Sequence, residues 1–200
     1  MPIIIYGAAE TTHLSAADPV LGAYIKTVGP IERVSHPDTF AALIQSIVGQ
    51  QISVKAQASI WARLKKCCGD INPTTIAGQS TAALRAAGLS GRKVEYIQEA
   101  AKRTLAGEFD WQNLGGYSDE ELISHLTTLR GVGRWTVEML LLFSLLRPNI
   151  LSYDDLAIRR GICYLYGWES INKKQFQVLR NLYSPYGSIA SLYLWHRAAE

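Results

Sequence analysis

Two acidic residues and one aromatic residue near the middle of the chain are the best candidates for chemistry. Asp154 and Asp155 stand where a helix is predicted to begin, and Asp155 follows Trp135 by 20 residues. A carboxylate can stabilise a neighbouring positive charge and can orient or deprotonate a water molecule. Asp is also a common helix N-cap, so spacing alone leaves both roles open. The ring face of Trp135 attracts cations, but a Trp on a nearly all-apolar helix is also compatible with the core.

A glycine-rich turn precedes these residues in the run Leu-Arg-Gly-Val-Gly-Arg-Trp-Thr. Gly131 and Gly133 end one predicted helix and permit backbone angles that other residues resist. A second helix is predicted over 134–146. Its first N–H groups lie at the positive end of the helix dipole, which suits a phosphate oxygen. We therefore predict a phosphate-binding hairpin that includes Arg134 and Thr136, with an ordinary turn as the alternative.

The remaining pattern is helical almost throughout and contains no repeat or linker. Apolar residues recur with helical spacing, and capping signals such as Asp18 followed by Pro19 mark several starts. Asn72-Pro73 is predicted to be a turn, and residues 3–6 are the only strand candidate. The sequence therefore predicts an all-α fold. Two helices are expected to follow the caps Ser90 and Asn172. The other predicted helices are 19–27, 38–48, 53–67, 80–87, 122–128, 134–146, 156–166 and 188–197.

Composition excludes several classes of protein. Hydrophobic residues make up 48% of the chain and charged residues 18%, as in globular proteins. The net charge of +3 permits nucleic-acid binding without arguing for it. The longest apolar run, 139–143, is too short to span a bilayer, and no signal peptide is recognisable. Three cysteines give no disulfide framework, which predicts a reducing cytoplasm or nucleus.

Taken together, these motifs resemble the helix-hairpin-helix (HhH-GPD) DNA glycosylase superfamily. The resemblance rests on Leu-x-Gly-Val-Gly, the spaced Asp155, and the run Ile-Val-Gly-Gln-Gln-Ile-Ser at 47–53. Trp135 directly before Thr136 and the Asp-Asp pair resemble the AlkA-type 3-methyladenine glycosylase II branch, in a short form without an N-terminal sheet domain. The resemblance extends from about Asp18 to Arg197. It implies two helical lobes, 31–146 with the hairpin and 1–30 plus 147–200, with an active-site cleft between them.

The resemblance also implies catalytic and base-binding residues. Asp155 would be the catalytic carboxylate. Trp135, Trp195 and Met139 would form the base pocket, although Trp195 could equally pack within its lobe. In the lyase branches a Lys occupies the position of Trp135 and forms a Schiff base with the sugar. No amine is available here, so the resemblance implies base removal without strand cleavage.

Further residues correspond to the DNA-binding parts of the family. Gln50 and Gln51 lie in the loop from which relatives insert a side chain into the duplex, with helix capping as the alternative. Backbone carbonyls of Thr127, Leu129 and Val132 match a site for a monovalent cation, Na⁺ or K⁺. No iron–sulfur cluster is expected, because no four-Cys cluster follows Asp155. Other basic side chains are expected to be mostly solvated, with some reaching phosphates: Lys55, Arg63, Lys65, Lys66, Arg92 and Lys93.

The expected function is that of a monomeric, monofunctional DNA glycosylase that needs no cofactor. It would bind double-stranded DNA and excise alkylated purines such as 3-methyladenine and 7-methylguanine. It would work in a bacterial cytoplasm or a eukaryotic nucleus and would not involve a membrane. Two alternatives stay open: a glycosylase for a neutral deaminated or mismatched base, and a non-catalytic protein that binds DNA structures.

Overall fold

The chain is built from helices, as predicted. A computed structural model describes residues 2–200 and contains one short 3₁₀ helix, Leu114–Gly116. No strand forms in this range, and Ile3 makes only a single antiparallel bridge to Val34, so the predicted strand at 3–6 is wrong. The α-helices are α1 (Ala8–Ala17), α2 (Pro19–Val28), α3 (Thr39–Gly49), α4 (Val54–Cys68), α5 (Pro73–Ala77), α6 (Thr81–Ala86), α7 (Gly91–Leu105), α8 (Asp119–Leu126), α9 (Arg134–Phe143), α10 (Leu156–Tyr166), α11 (Lys173–Tyr183) and α12 (Gly187–Ala199).

Capping side chains set the helix starts. The Asp18 carboxylate accepts hydrogen bonds from the first N–H groups of α2. Reciprocal capping boxes open α8, between Ser118 and Glu121, and α11, between Asn172 and Gln175. Each box satisfies N–H groups that have no partner inside the helix. These starts confirm the capping signals seen in the sequence.

Two local predictions are wrong, and one helix was missed. The predicted turn at Asn72-Pro73 instead opens α5, where the Asn72 side chain accepts the N–H of Thr75 at 2.9 Å and Pro73 takes the first helical position. Helix α1 was not predicted, because it buries only Leu14 and shows little amphipathic pattern. Helix α9 ends at Phe143, three residues before the predicted end.

The structure separates into two compact units. Unit 1 comprises the described residues up to His36 together with Leu141–Glu200, and unit 2 is the continuous segment Pro37–Leu140. The sequence had placed the corresponding divisions at 30/31 and 146/147. Unit 2 thus contains the hairpin, and unit 1 contains the Asp-Asp pair.

Helix α7 lies at the centre of unit 2, where it packs against α3, α5 and α6. Ile97 and Ala100 of α7 and Leu43 and Ile47 of α3 are completely buried. Each such Leu or Ile side chain contributes roughly 1.5–3 kcal/mol of transfer free energy. The opposite side of α7 stays available for polar contacts.

In unit 1 the most extensive helix pair is α10 with α12. A Cβ added at Gly161 of α10 would collide with the carbonyl oxygen of Leu194 in α12. Glycine therefore allows the two backbones to touch. A buried hydrogen bond also stabilises this unit, in which the Tyr183 hydroxyl donates to the Asp18 carboxylate at 2.8 Å.

Candidate active site

The two glycines of the hairpin between α8 and α9 differ in backbone conformation and in packing. Gly131 has φ +79°, and the ring of Tyr96 occupies the place where a Cβ would lie. Both its conformation and its packing therefore require glycine. Gly133 has no such φ, and an added Cβ would meet nothing within 4 Å. The prediction of special backbone angles thus holds for Gly131 and is wrong for Gly133, which leaves open space beside the start of α9.

The side chains that follow Gly133 do not support direct contacts with phosphate. The Arg134 guanidinium donates to Glu138 at 3.0 Å and to Glu120 at 3.1 Å, and the hydrogen bond with Glu120 raises its pKa above the usual value. The positive charge of Arg134 is therefore largely offset by two carboxylates. Thr136 is only 3% exposed. The contacts of Arg134 and Thr136 with DNA therefore stay a prediction.

Trp135 and Met139 lie one turn apart on α9 and therefore share a face. The Trp135 side chain is 38% exposed, so it is not a core residue. Met139 is half-buried. Glu138, on the same helix, is buried, and its Oε1 accepts from Arg134. The exposed face thus presents an aromatic ring and a thioether, and the nearby carboxyl is directed to an arginine.

A second segment of unit 2, the Gln loop (residues 49–53), lies beside the hairpin. The side-chain amide of Gln50 donates to the carbonyl oxygen of Gly131 at 2.8 Å. Gln51 is exposed and has φ +58°, which is uncommon for a residue other than glycine. The two glutamines therefore differ: Gln50 joins the loop to the hairpin, and Gln51 is presented to solvent.

Two basic side chains that were expected to be mostly solvated donate hydrogen bonds to backbone carbonyls. The Lys93 ammonium donates to the carbonyl oxygens of Val48 at 2.8 Å and Gln50 at 2.7 Å. Its partial burial lowers the pKa of Lys93. Arg63 donates to the carbonyl of Ala87 at 2.8 Å. Both arrangements satisfy carbonyls near helix ends, where partial negative charge collects.

In unit 1 the carboxylate of Asp155 is fixed at the start of α10. Its Oδ1 accepts the N–H of Ile158 at 2.9 Å, and the residue is 7% exposed. The helix N-terminus favours a negative charge at this position. Asp154, the other member of the pair, is exposed. The N-cap interpretation is therefore correct for Asp155, and a catalytic role for the same carboxylate stays a prediction.

Trp195 lies on α12 and is half-buried. Its ring stacks on Phe143, with centroids 5.5 Å apart and an angle of 20° between the planes. Phe143 was not among the predicted site residues. It lies two turns after Trp135 on α9, a spacing that could have suggested a role. Since Gly161 lets α10 pack closely against α12, Asp155 at the start of α10 and Trp195 on α12 belong to one tightly packed helix pair.

The carbonyls of Thr127, Leu129 and Val132 follow the last turn of α8, where partial negative charge accumulates. The Leu129 carbonyl accepts the N–H of Val132 at 3.1 Å. Neutral oxygens of this kind suit a monovalent cation. Within residues 2–200 no cluster of three or more His, Cys, Asp or Glu side chains is arranged to hold a metal ion. No helix in the described part is long and apolar enough to cross a membrane.

Comparison with known proteins places this arrangement in a family. Residues 44–185, more than half of the chain, match the HhH-GPD superfamily of base excision DNA repair proteins. DNA-3-methyladenine glycosylase 1 of Schizosaccharomyces pombe is 34% identical over 92% of this chain and 84% of its own length. A solved structure of DNA-3-methyladenine glycosidase from Bacillus halodurans is 34% identical, with a TM-score of 0.87 over 99% of this chain and 93% of that one. The S. pombe 3-methyladenine DNA glycosylase bound to abasic DNA is 33% identical, with a TM-score of 0.83 over 94% and 95% of the two chains. The chain therefore belongs to the HhH-GPD superfamily of base excision DNA repair proteins, and within it to the 3-methyladenine DNA glycosylases.

Proposed function

We propose that this protein is a monofunctional DNA glycosylase that removes alkylated purines such as 3-methyladenine and 7-methylguanine from double-stranded DNA. The observation that carries this proposal is the carboxylate of Asp155, buried at the start of α10 and oriented by a backbone N–H. It is supported by the exposed ring of Trp135, which occupies the position where lyase relatives carry an amine. The names of the relatives point to the same substrate class.

The chemistry follows from the charge of the substrate. An alkylated purine already carries a positive charge, so its bond to the sugar can break without a proton donor. The developing cation at C1′ is stabilised by the Asp155 carboxylate, which also takes a proton from the attacking water. The products are the neutral free base and an abasic site. No cofactor takes part in these steps.

Base recognition is assigned to the aromatic side chains. Once the nucleotide is flipped out of the duplex, the ring face of Trp135 attracts the cationic base more strongly than a neutral one. Met139 shares this face of α9, and Trp195 would contribute a second aromatic surface. Because position 135 holds no amine, no Schiff base forms, and the strand stays intact.

The DNA is held mainly through backbone groups. Gly133 leaves room for a phosphate to approach the N–H groups at the start of α9, and such contacts position DNA without reading its sequence. Gln51 would fill the gap left by the flipped base. The carbonyls of Thr127, Leu129 and Val132 would hold a Na⁺ or K⁺ ion that neutralises charge near the phosphate. We place this activity where the DNA is, in the cytoplasm of a bacterium or the nucleus of a eukaryote.

Incubation with methylated duplex DNA tests the proposal. Free 3-methyladenine or 7-methylguanine and alkali-labile abasic sites should appear, with no nicking before alkali treatment. Duplex binding without base release would support the non-catalytic alternative. A borohydride-trapped adduct would contradict the monofunctional assignment. Release of hypoxanthine or mismatched bases in preference to methylated purines would support the neutral-base alternative.

A further inference from the structure

Helix α7 contacts both segments of unit 2 that we assign to DNA binding. Lys93 and Tyr96 lie one turn apart on this helix. Lys93 donates to carbonyls at the Gln loop, and the ring of Tyr96 packs against Gly131 in the hairpin. One turn further, Glu99 forms an ion pair with Arg130, directly before Gly131. A single helix face thus positions the loop and the hairpin together.

Lys93 controls the backbone directly ahead of the exposed glutamine. Its ammonium bonds to the carbonyl oxygen of Gln50, which belongs to the peptide unit that joins Gln50 to Gln51. With this peptide plane fixed, the φ of Gln51 sets the direction in which its side chain leaves the loop. A left-handed conformation at a residue other than glycine is strained and persists only where surrounding contacts impose it.

The same loop is also bonded from its other side, because the Gln50 amide donates to the Gly131 carbonyl at 2.8 Å. The loop is therefore held at two points, by Lys93 on α7 and by the hairpin. Hydrogen bonds from a charged donor are stronger than neutral ones, so the attachment through Lys93 is stronger than the one between Gln50 and Gly131. Burial lowers the pKa of the ammonium, in keeping with its withdrawal from solvent.

We propose that Lys93 is a positioning residue for base flipping: by fixing the Gln50 carbonyl it holds Gln51 in the orientation that fills the duplex gap. This inference rests on the proposed function, in which Gln51 is the inserted side chain. Lys93 contacts neither the base nor the sugar in this scheme. Its contribution should therefore appear only where Gln51 has to fill a gap opposite an orphaned base.

The test compares Lys93→Met, which keeps the length of the side chain and removes its charge, with Lys102→Met, an exposed lysine on the same helix. Single-turnover release is measured for a methylated purine paired in a duplex and for the same lesion opposite an abasic analogue, where less stacking has to be replaced. Lys93→Met should slow release from the paired duplex roughly tenfold and from the unpaired substrate roughly twofold or less, because only the paired duplex leaves an orphaned base beside Gln51. Lys102→Met should match the wild type on both substrates.

A double variant sharpens the comparison. If Lys93 acts through Gln51, the combination of Lys93→Met with Gln51→Ala should be no slower than Gln51→Ala alone. Equal slowing by Lys93→Met on both substrates, or additive effects in the double variant, would overturn the proposal. Should thermal unfolding show that Lys93→Met does not fold, Gln50→Ala removes the second attachment and should show the same substrate dependence with a smaller effect.

A binding readout separates this proposal from the proposed function. A duplex carrying an abasic analogue opposite 2-aminopurine reports insertion through the fluorescence of the orphaned base, and it requires no chemistry. The wild type should change the fluorescence at saturation more than Lys93→Met does. If the wild type releases no base yet shows this difference, the proposed function fails and the role of Lys93 stands. If the two proteins give the same change, the role of Lys93 fails.

Discussion

The two groups of candidate residues are held in place by different kinds of contact. In unit 2 the hairpin and the Gln loop are exposed, and polar contacts of Gln50 and Lys93 with backbone carbonyls position them. In unit 1 Asp155 is buried and stands on a helix pair whose backbones touch at Gly161. Directed hydrogen bonds at the surface suit the segments that we propose to bind DNA. Close backbone packing suits the carboxylate that we propose to be catalytic, because it must act at one point.

The largest expected effect comes from the buried group. Asp155→Asn keeps an oxygen for the helix cap but removes the negative charge, so base release should fall by at least about 100-fold. Single-turnover release from methylated duplex DNA measures the loss, and DNA binding and the thermal midpoint should change little. Release within tenfold of the wild type would show that the carboxylate serves only as a cap.

Overpacking the contact between α10 and α12 should be the next largest effect. Gly161→Ala places a methyl group against the carbonyl of Leu194, which neither backbone can avoid. The free energy of unfolding should fall by about 1–3 kcal/mol or more, measured by urea denaturation. Gly91→Ala is the matched control, since the added Cβ meets nothing within 4 Å and the site lies in a helix. Equal stability of the two variants would mean that close packing does not distinguish unit 1.

Trp135→Leu probes the exposed ring of unit 2. A cation–π contact contributes about 0.5–2 kcal/mol, so release of a cationic base should slow by roughly 2- to 30-fold. Release of neutral hypoxanthine, where detectable, should change less. The ratio of the two rates is the decisive measurement. A ratio equal to that of the wild type would assign Trp135 a packing role instead of recognition of charge.

The most selective effect is expected between the two hairpin glycines, where Gly133→Ala should cause the smallest change. Gly133→Ala should preserve stability, because its Cβ meets open space, while it weakens duplex binding several-fold if a phosphate approaches there. Gly131→Ala should instead lower stability by at least about 1–2 kcal/mol, since φ is +79° and Tyr96 fills the space. Fluorescence anisotropy with duplex DNA and thermal unfolding separate the two outcomes. Loss of stability in both variants, with unchanged binding, would argue for a plain turn.

Local rules predicted the helices well and the contacts of side chains poorly. Caps such as Asn172 and helical periodicity depend on residues close in sequence, so they are visible without the fold. The network around Lys93 joins residues more than 40 positions apart, and composition gives no sign of it. Arg134 shows the same limit, since its ion pair with Glu120 depends on the packing of α8 beside α9. Periodicity also could not decide whether Trp135 is core or surface.

The two units differ in whether they are continuous along the chain, and this affects the order in which they fold during synthesis. Unit 2 is a single continuous segment, and unit 1 needs α10–α12 from the end of the chain to complete its core. During synthesis a continuous unit can fold as soon as it emerges, whereas long-range contacts must wait for their partners. We therefore expect the hairpin and the Gln loop to be formed before Asp155 has left the ribosome. A nascent chain would then form the surface that we propose for DNA binding before it presents the proposed catalytic carboxylate.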